Sequence, residues 1–337
     1  MPLIEEQIHE TFANNAESLE GRLLFAVPKK GRLLQAALNL LEGADIQFRR
    51  ESRLDIALVK NLPIALVFLP AADIPTFVGE GRVSLGITGR DTVAEHAASV
   101  VAAKRERAES GQSTPTDEED LIGCEEVMEL GFGSCKLQVQ VPEKGQYAKP
   151  SDLIGKNIGT SFVHLAADYF AGLEKEAAES NGEKKLKTNI IELSGSVEAA
   201  CALGVADGIV DLVESGETMK AAGLKPIDTV VSSIAVLVKS KKPSNPQLVN
   251  LIASRIRGVI TAQQYVLCQY NIRREKLADA AKITPGKRAP TINALEEEGW
   301  LAVSSMVEKK KIATVMDELA EAGAADILVL NITNTRY

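Results

Sequence analysis

The chain has 337 residues, 45% of them hydrophobic, 25% charged and only 4% aromatic, and its 38 basic against 46 acidic residues give a net charge of −8. That length points to two or three domains, and the balance excludes disordered, collagen-like and coiled-coil classes. The acidic excess, the lack of a concentrated Lys/Arg stripe and the scarcity of stacking residues argue against a nucleic-acid partner.

Residues 23–27 (LLFAV) form an apolar run stopped by Pro28, followed by KKGR and then by LLQAALNLLEG, with apolar residues at helical spacing. This reads as strand, turn and helix. Runs at 56–59 and 64–69 read as strands, 72–78 as a short helix and 83–87 as a strand ending in TGRD, so a mostly parallel sheet is expected. Residues 104–120 (KRERAESGQSTPTDEED) are polar and turn-rich, and are expected to be an exposed insertion or mobile loop.

A second α/β unit is expected from 137–141, NIGT at 157–160, a helix after His164, IIELSG and VADGIVDLVESGETMKAAGL, with SIAVLVK at 233–239 as its last strand. KKPSNP at 241–246 reads as a linker, and the apolar spacing after it predicts one helix over 247–270. A small α+β unit follows, with strands at 300–307 and 327–332 and a helix at 308–322. The expected division is a first lobe of 1–95 and 241–268, a second of 96–240 and a third unit of 269–337.

No apolar run reaches about 18 residues, and the N-terminus lacks a basic stretch followed by an apolar one, so a cytoplasmic protein without a membrane partner is expected. The four cysteines include no C-x-x-C pair and the three histidines are scattered, which argues against a zinc site or disulfide framework.

The richest chemical segment is VDLVESGETMKAAG at 210–223, where an apolar strand meets Glu214, Ser215, Gly216, Glu217 and Thr218 ahead of a helix. Such a turn offers backbone N–H groups to a phosphate, while Asp211 and Glu214 can accept hydrogen bonds from vicinal sugar hydroxyls. Together they suit a ribose 5-phosphate; an ordinary helix capped by Ser215 is the alternative. In PKKGR, Arg32 can grip a phosphate bidentately, and cations where a helix begins point to a compensating anion, against the alternative of a solvated surface cluster. Thr88 and Gly89 in GITGRD, and Thr160 and Ser161 in NIGTS, stand at strand ends that face ligand crevices in open α/β sheets, although the same residues also serve as caps. No Walker A motif is present, and GEGRVSLG precedes a strand where a dinucleotide fingerprint must follow one.

Taken together, PKKGR, LPAADIPTFVGEGRVSLGITGRD, GSVEAA and ADGIVDLVESGETMKAAGL occur in an order that resembles the ATP phosphoribosyltransferases. GVITAQQYVL, APTINAL, AVSSMV and GAADILVLNI extend the resemblance to the long form, which carries a regulatory domain. The resemblance implies two periplasmic-binding-protein-like α/β lobes around a cleft plus a small ferredoxin-like α+β regulatory domain. It implies the first step of L-histidine biosynthesis, in which N1 of ATP attacks C1 of 5-phosphoribosyl 1-diphosphate and releases diphosphate. It also implies Mg²⁺ held mainly by diphosphate, with Asp207 a weaker Mg²⁺ or ribose candidate.

By this resemblance Asp207, Asp211, Glu214, Ser215, Gly216, Glu217 and Thr218 bind phosphoribosyl diphosphate, with Asp211 on the ribose and Glu198 in support. Lys30, Gly31, Arg32, Asp73, Thr88, Gly89, Thr160 and Ser161 bind ATP, and Asp211 and Arg32 are the residues assigned to catalysis. No general base is named, since adenine N1 already carries a lone pair. In the regulatory unit Asn271, Ala289, Pro290, Thr291 and Ser304 are assigned to inhibitory L-histidine, in a homohexamer in equilibrium with dimers.

The chain departs from the usual family wording at SFVHL (161–165), where Tyr and Pro commonly follow Thr-Ser, and at Glu217, where a Thr is frequent. Two other readings stand beside this one: a two-lobed solute-binding protein, and a phosphoribosyltransferase with another acceptor base.

Overall fold

In the computed structural model, which describes residues 19–50, 54–110, 123–181 and 187–336, all six positions of β1 (Leu23–Pro28) are apolar and all but Leu24 are buried. This is the pattern of a strand covered on both faces. Its sheet also contains β2 (Ile56–Leu58), β3 (Ile64–Leu69), β4 (Leu85–Gly89), β5 (Cys124–Glu129) and β11 (Ala235–Ser240), in the order β2-β3-β1-β4-β11-β5. Strand β1 runs parallel to β3 and β4, and β11 runs antiparallel to both β4 and β5. Helix α1 (Leu34–Gly43) follows β1, α2 (Ile74–Gly79) follows β3, and α3 (Arg90–Glu109) follows β4.

The second sheet is built from β6 (Cys135–Pro142), β7 (Asn157–Thr160), β8 (Asn189–Glu192), β9 (Gly208–Val213) and β10 (Leu224–Ser233), in the order β10-β6-β9-β7-β8. One face buries Leu137, Val139, Ile158 and Val210 against Ala166 and Phe170 of α4 (Val163–Asn181). On the other face Ile209 packs with Val197, Ala200, Met219 and Leu224, beside α5 (Glu217–Ala221). The chain crosses between the two sheets after β5 and again after β10. The crossings are bonded to each other: Leu130 N–H donates to Ala235 C=O at 2.9 Å, and Ala235 N–H donates to Phe132 C=O at 3.0 Å.

Both sheets belong to one unit, residues 1–37 and 48–249, and a second unit comprises residues 38–47 and 250–337. The second unit receives α6 (Pro246–Gln264) and continues with β12 (Tyr265–Arg273), α7 (Leu277–Ile283), β13 (Thr291–Ala294), β14 (Trp300–Glu308), α8 (Ile312–Glu321) and β15 (Ala325–Asn331). The antiparallel order β13-β14-β12-β15 with this β-α-β-β-α-β succession is ferredoxin-like. Alternate residues Val266, Cys268, Tyr270 and Ile272 of β12 are buried with Leu301, Val303, Val315 and Leu319. The buried Tyr270 hydroxyl is satisfied by Thr284 Oγ1 at 2.7 Å. Two α/β lobes and a small α+β unit are the expected fold class.

The structure corrects several expectations. The single helix over 247–270 ends at Gln264 and gives way to β12. No glycine or proline interrupts the sequence there, so helical spacing runs on unbroken, whereas the alternation in YVLCQYNIR finds partners only once β14 and β15 flank it. Residues 104–109 are helical, as the end of α3, while the rest of the expected 104–120 loop lies beyond Ser110 and, from 111, outside the described residues. The run at 233–239, expected to end the second lobe, supplies β11 to the first sheet, and so does β5. Chain order alone does not reveal that the backbone crosses twice. Strand β10, α7 and β13 also escaped the sequence reading.

Candidate active site

Strand β9 is buried from Gly208 to Val210 and becomes half-exposed from Asp211 before the chain turns at Glu214, Ser215 and Gly216. Gly216 is buried and has φ +79°, a backbone region that side chains rarely adopt, and it caps α5. Glu214, Ser215, Gly216 and Thr218 line a cavity of ≈ 230 Å³ together with Leu212, Val213, Met219, Cys135 and Arg32. Glu217 is exposed and is not among the lining residues. The extra carboxylate that sets this loop apart from the family wording is therefore outside the cavity wall.

Arg32 reaches this cavity from the other sheet. Gly31, with φ +82°, makes the turn between β1 and α1 that carries it. Its guanidinium donates to Gly133 C=O and to Cys135 Sγ at 3.1 Å, and lies 3.9 Å from Asp91 Oδ2. Burial, with the Asp91 charge second, pushes the Cys135 thiol above its ordinary range, so it stays a neutral thiol. The cationic cluster of the sequence reading is divided: Lys29 pairs with Asp55 at 2.8 Å, while Lys30 is exposed beside Gly31.

Asp211 sits on β9 just before the cavity-lining residues. Burial raises its carboxyl above the usual range, its bond from Leu212 N–H works the other way, and the nearby Glu198 charge raises it further. Two acidic groups thus lie near each other, Asp211 partly desolvated. Asp207 stands apart from these residues. It precedes β9, at the end of the strand remote from the loop. Both its oxygens are engaged, Oδ1 by Tyr147 OH at 3.0 Å and Oδ2 by Asn157 N–H at 3.0 Å. Asp207 braces the start of β7 and does not meet the cavity residues.

Among the residues assigned to ATP, the two threonine hydroxyls are committed to backbone. Buried Thr88 donates to Ala71 C=O at 2.7 Å, and buried Thr160 donates to Val210 C=O at 2.7 Å and accepts Phe162 N–H at 2.9 Å. Thr160 thereby supports the turn into α4, while Thr88 bonds across to the segment ahead of α2 and does not cap α3. Gly89 caps α3, and a side chain there would collide with the Asp91 carboxylate. Asp73 stands exposed at the start of α2 without a side-chain cap bond, and Ser161 is exposed. Phe162, where the chain departs from the family wording, is buried in the core of the second sheet.

The sequence reading missed Asp91, Gly133, Cys135, Met219 and Ser233. Asp91 was visible in GITGRD as a charge at a strand end. Nothing marks Gly133 as the partner of an arginine 101 positions earlier.

In the second unit three assigned residues share the sheet face away from the helices. Thr291 is paired directly with Ser304, Ser304 with Gln269, and Asn271 lies two residues along β12. Gln269 donates to Ser304 Oγ at 2.9 Å, and Asn271 donates to Asp326 Oδ2 at 2.9 Å. Asp326 has φ +52° at a bulge where the β12–β15 register shifts between Gln269 and Asn271. Gln269 and Asp326 thus join the cluster unannounced by the sequence, while Ala289 and Pro290 immediately precede β13. A cavity of ≈ 610 Å³ in this unit is lined by Gln263, Gln264, Tyr265, Glu308, Lys309 and Lys310, none of them an assigned residue.

Comparison with known proteins bears on this geometry. The ATP phosphoribosyltransferase family model matches residues 70–258, and the model described as "HisG, C-terminal domain" matches residues 262–334. The chain is 59% identical to the ATP phosphoribosyltransferase of Yarrowia lipolytica over 95% of this chain and 98% of that protein. It is 58% identical to that of Schizosaccharomyces pombe and 54% to that of Saccharomyces cerevisiae, each over 94% of this chain and 98% of the relative. A chain of the solved "ATP phosphoribosyl transferase (HisG:HisZ) complex from Thermotoga maritima" aligns at 23% identity and TM-score 0.49, covering 70% of this chain and 98% of that one. The chain belongs to the ATP phosphoribosyltransferase family, in its long form with a C-terminal regulatory domain.

Proposed function

We propose that the cavity formed by Arg32 and the 212–219 loop receives the phosphoribosyl diphosphate used by this ATP phosphoribosyltransferase, the enzyme of the first step of L-histidine biosynthesis. The reaction breaks the C1–O bond to diphosphate and forms a bond from adenine N1 to C1 of the ribose. The observation that carries the assignment is the convergence of a glycine-capped loop and an arginine from the other sheet on one small polar cavity.

Backbone N–H groups at Ser215 and Gly216 and the Thr218 hydroxyl suit the 5-phosphate, and Asp211 suits the ribose hydroxyls. Arg32 takes the diphosphate or the ATP phosphates, with Lys30 and Gly31 beside it and Asp73, Gly89 and Ser161 as further ATP contacts. Thr88 and Thr160 act from behind, holding the strand ends. Positioning and charge stabilisation suffice for this chemistry, because the attacking nitrogen already carries its lone pair and the leaving group needs only neutralisation.

Mg²⁺ fits the site as a companion of the substrate. Among the described residues no cluster of three or more His, Cys, Asp or Glu is placed to hold an ion, and Mg²⁺ bound to phosphates typically needs only one or two carboxylates. Glu214 and Asp211 are the residues to supply them. The ion would neutralise charge on the departing diphosphate.

The Asn271, Thr291 and Ser304 face, with Gln269 and Asp326, has acceptors and donors for the ammonium and carboxylate of L-histidine, beside Ala289 and Pro290. Exposed Ile292, Leu328, Val329 and Leu330 support a subunit contact on these strands, in keeping with a homohexamer exchanging with dimers. A cytoplasmic location agrees with the two phosphorylated substrates. No helix among the described residues is long and apolar enough to cross a membrane.

The test mixes the purified chain with ATP, phosphoribosyl diphosphate, Mg²⁺ and pyrophosphatase and follows the near-ultraviolet absorbance of N1-substituted adenine. Product suppressed by L-histidine is the expected result. Product without suppression would overturn the regulatory assignment alone, and no product would overturn the catalytic one.

A further inference from the structure

Asp91 is fully buried at the start of α3, and its two oxygens are treated differently. Oδ1 accepts the Ser233 hydroxyl at 2.7 Å, while Ser233 Oγ in turn accepts the Asp91 backbone N–H at 2.9 Å. Oδ2 has no hydrogen-bond donor at all. The nearest cation to it is the Arg32 guanidinium, with Nη2 3.9 Å away. A desolvated carboxylate oxygen without a donor is costly, so an arrangement that leaves one needs a reason. The packing makes it deliberate: the absent side chain of Gly89 is the space that the Asp91 carboxylate fills.

The partners of this group also have a pattern. Ser233 ends β10, at the second crossing between the sheets, and Gly133, whose carbonyl accepts Arg32, lies in the first crossing. The crossings are hydrogen-bonded to each other through Leu130, Phe132 and Ala235. Arg32 therefore spans from the phosphate cavity to both crossing segments, through Gly133 directly and through Asp91 and Ser233.

We propose that Asp91 is a positioning residue for the phosphoribosyl transfer: it acts through Arg32, drawing the guanidinium from its contacts with Gly133 and Cys135 onto Oδ2 when an anion enters the cavity. A shift of roughly 1 Å brings Nη2 within the range of about 2.7–2.9 Å for a charge-assisted bond. The guanidinium is then clamped between a buried carboxylate and the substrate phosphate, and Ser233 ties that clamp to the crossing between the lobes. The proposal rests on the reading of Arg32 as a ligand of substrate phosphate.

The experiment is a double-mutant cycle on the full chain, measuring kcat and KM for both substrates and the thermal midpoint of Asp91→Asn, Arg32→Ala and the double variant. Asp91→Asn is expected to lower kcat/KM about tenfold when Arg32 is present and less than about twofold when it is absent. A purely structural Asp91 would shift the thermal midpoint and lower kcat/KM by the same factor in both backgrounds, and that result overturns the proposal. Wild-type turnover by Arg32→Ala would remove the residue through which Asp91 acts, overturning both assignments while leaving the enzyme's activity intact. If Asp91→Asn does not fold, Ser233→Ala replaces it in the cycle, with the same non-additivity expected.

Discussion

Glu95 closes the first turn of α4 at His164. One carboxylate oxygen lies 2.8 Å from the His164 backbone nitrogen and 2.9 Å from its ring Nδ1, and the other accepts Leu165 N–H at 2.9 Å. Glu95 is on α3, which follows a strand of the first sheet, while α4 packs on the second. A long-range side chain thus does what a local N-cap usually does. Removing such a cap typically costs about 0.5–2 kcal/mol. Glu95→Ala is expected to destabilise the chain in that range, as read by urea denaturation, with Glu95→Gln falling between; an unshifted midpoint would show that the contact contributes nothing.

The 214–218 loop yields a contrast between neighbours. Thr218 lines the cavity and Glu217 does not. Thr218→Ala should raise KM for phosphoribosyl diphosphate by about tenfold, the scale of one lost hydrogen bond to a charged group, whereas Glu217→Ala should change it less than about twofold. Equal effects at the two positions would place the ligand elsewhere.

Asp211 carries a pH signature. Its carboxyl is held above the ordinary range mainly by burial and further by Glu198. A raised pKa in the folded state means that the stability it confers is present below the unfolded pKa of about 3.9 and is lost as pH rises through the folded value. Asp211→Asn removes that loss. The variant should melt above the wild type at pH 7 and together with it near pH 4, yet turn over far more slowly. A melting difference that does not vary with pH would show that ionisation is not its cause.

Asp326 and Asn271 test the proposed effector face. Asp326 adopts φ +52°, which glycine adopts freely, so Asp326→Gly should leave stability unchanged or higher while weakening inhibition by L-histidine. Asn271→Ala, which removes the 2.9 Å bond to Asp326, should weaken it similarly with basal turnover spared. Undiminished inhibition in both variants would move the effector site away from this face.

Gly258 of α6 marks a close approach by the C-terminal segment. A side chain there would meet the Thr335 carbonyl and the Arg336 guanidinium and come 2.7 Å from Asn334 Oδ1. Asn334 also donates to Gly43 C=O at 3.0 Å. Gly258→Ala should therefore free residues 334–336, which proteolysis by carboxypeptidase would reveal as faster trimming than in the wild type.

By itself the sequence determined the class of the molecule and the strand-turn-helix of residues 210–223. The apolar runs at β1, β3 and β4, and the strand leading into ESGET, are local signals of burial and turning, so they are legible without knowing what packs on them. The turn at Gly216 needed only its neighbours in the chain to be recognised. Tertiary structure decided what depends on partners distant in sequence. That Tyr147 and the Asn157 backbone engage Asp207, and the Val210 carbonyl engages Thr160, is such a fact. Strand β12 reads as helix until flanking strands absorb its backbone bonds, and β5 and β11 change sheets because the backbone crosses twice. Asp91 was a charge in a motif; its meaning comes from Ser233, 142 positions away, and from Arg32, neither of which periodicity could bring to it. Burial and hydrogen-bond satisfaction are properties of the assembled chain, and they separate side chains already engaged with the backbone from those left open at the cavity.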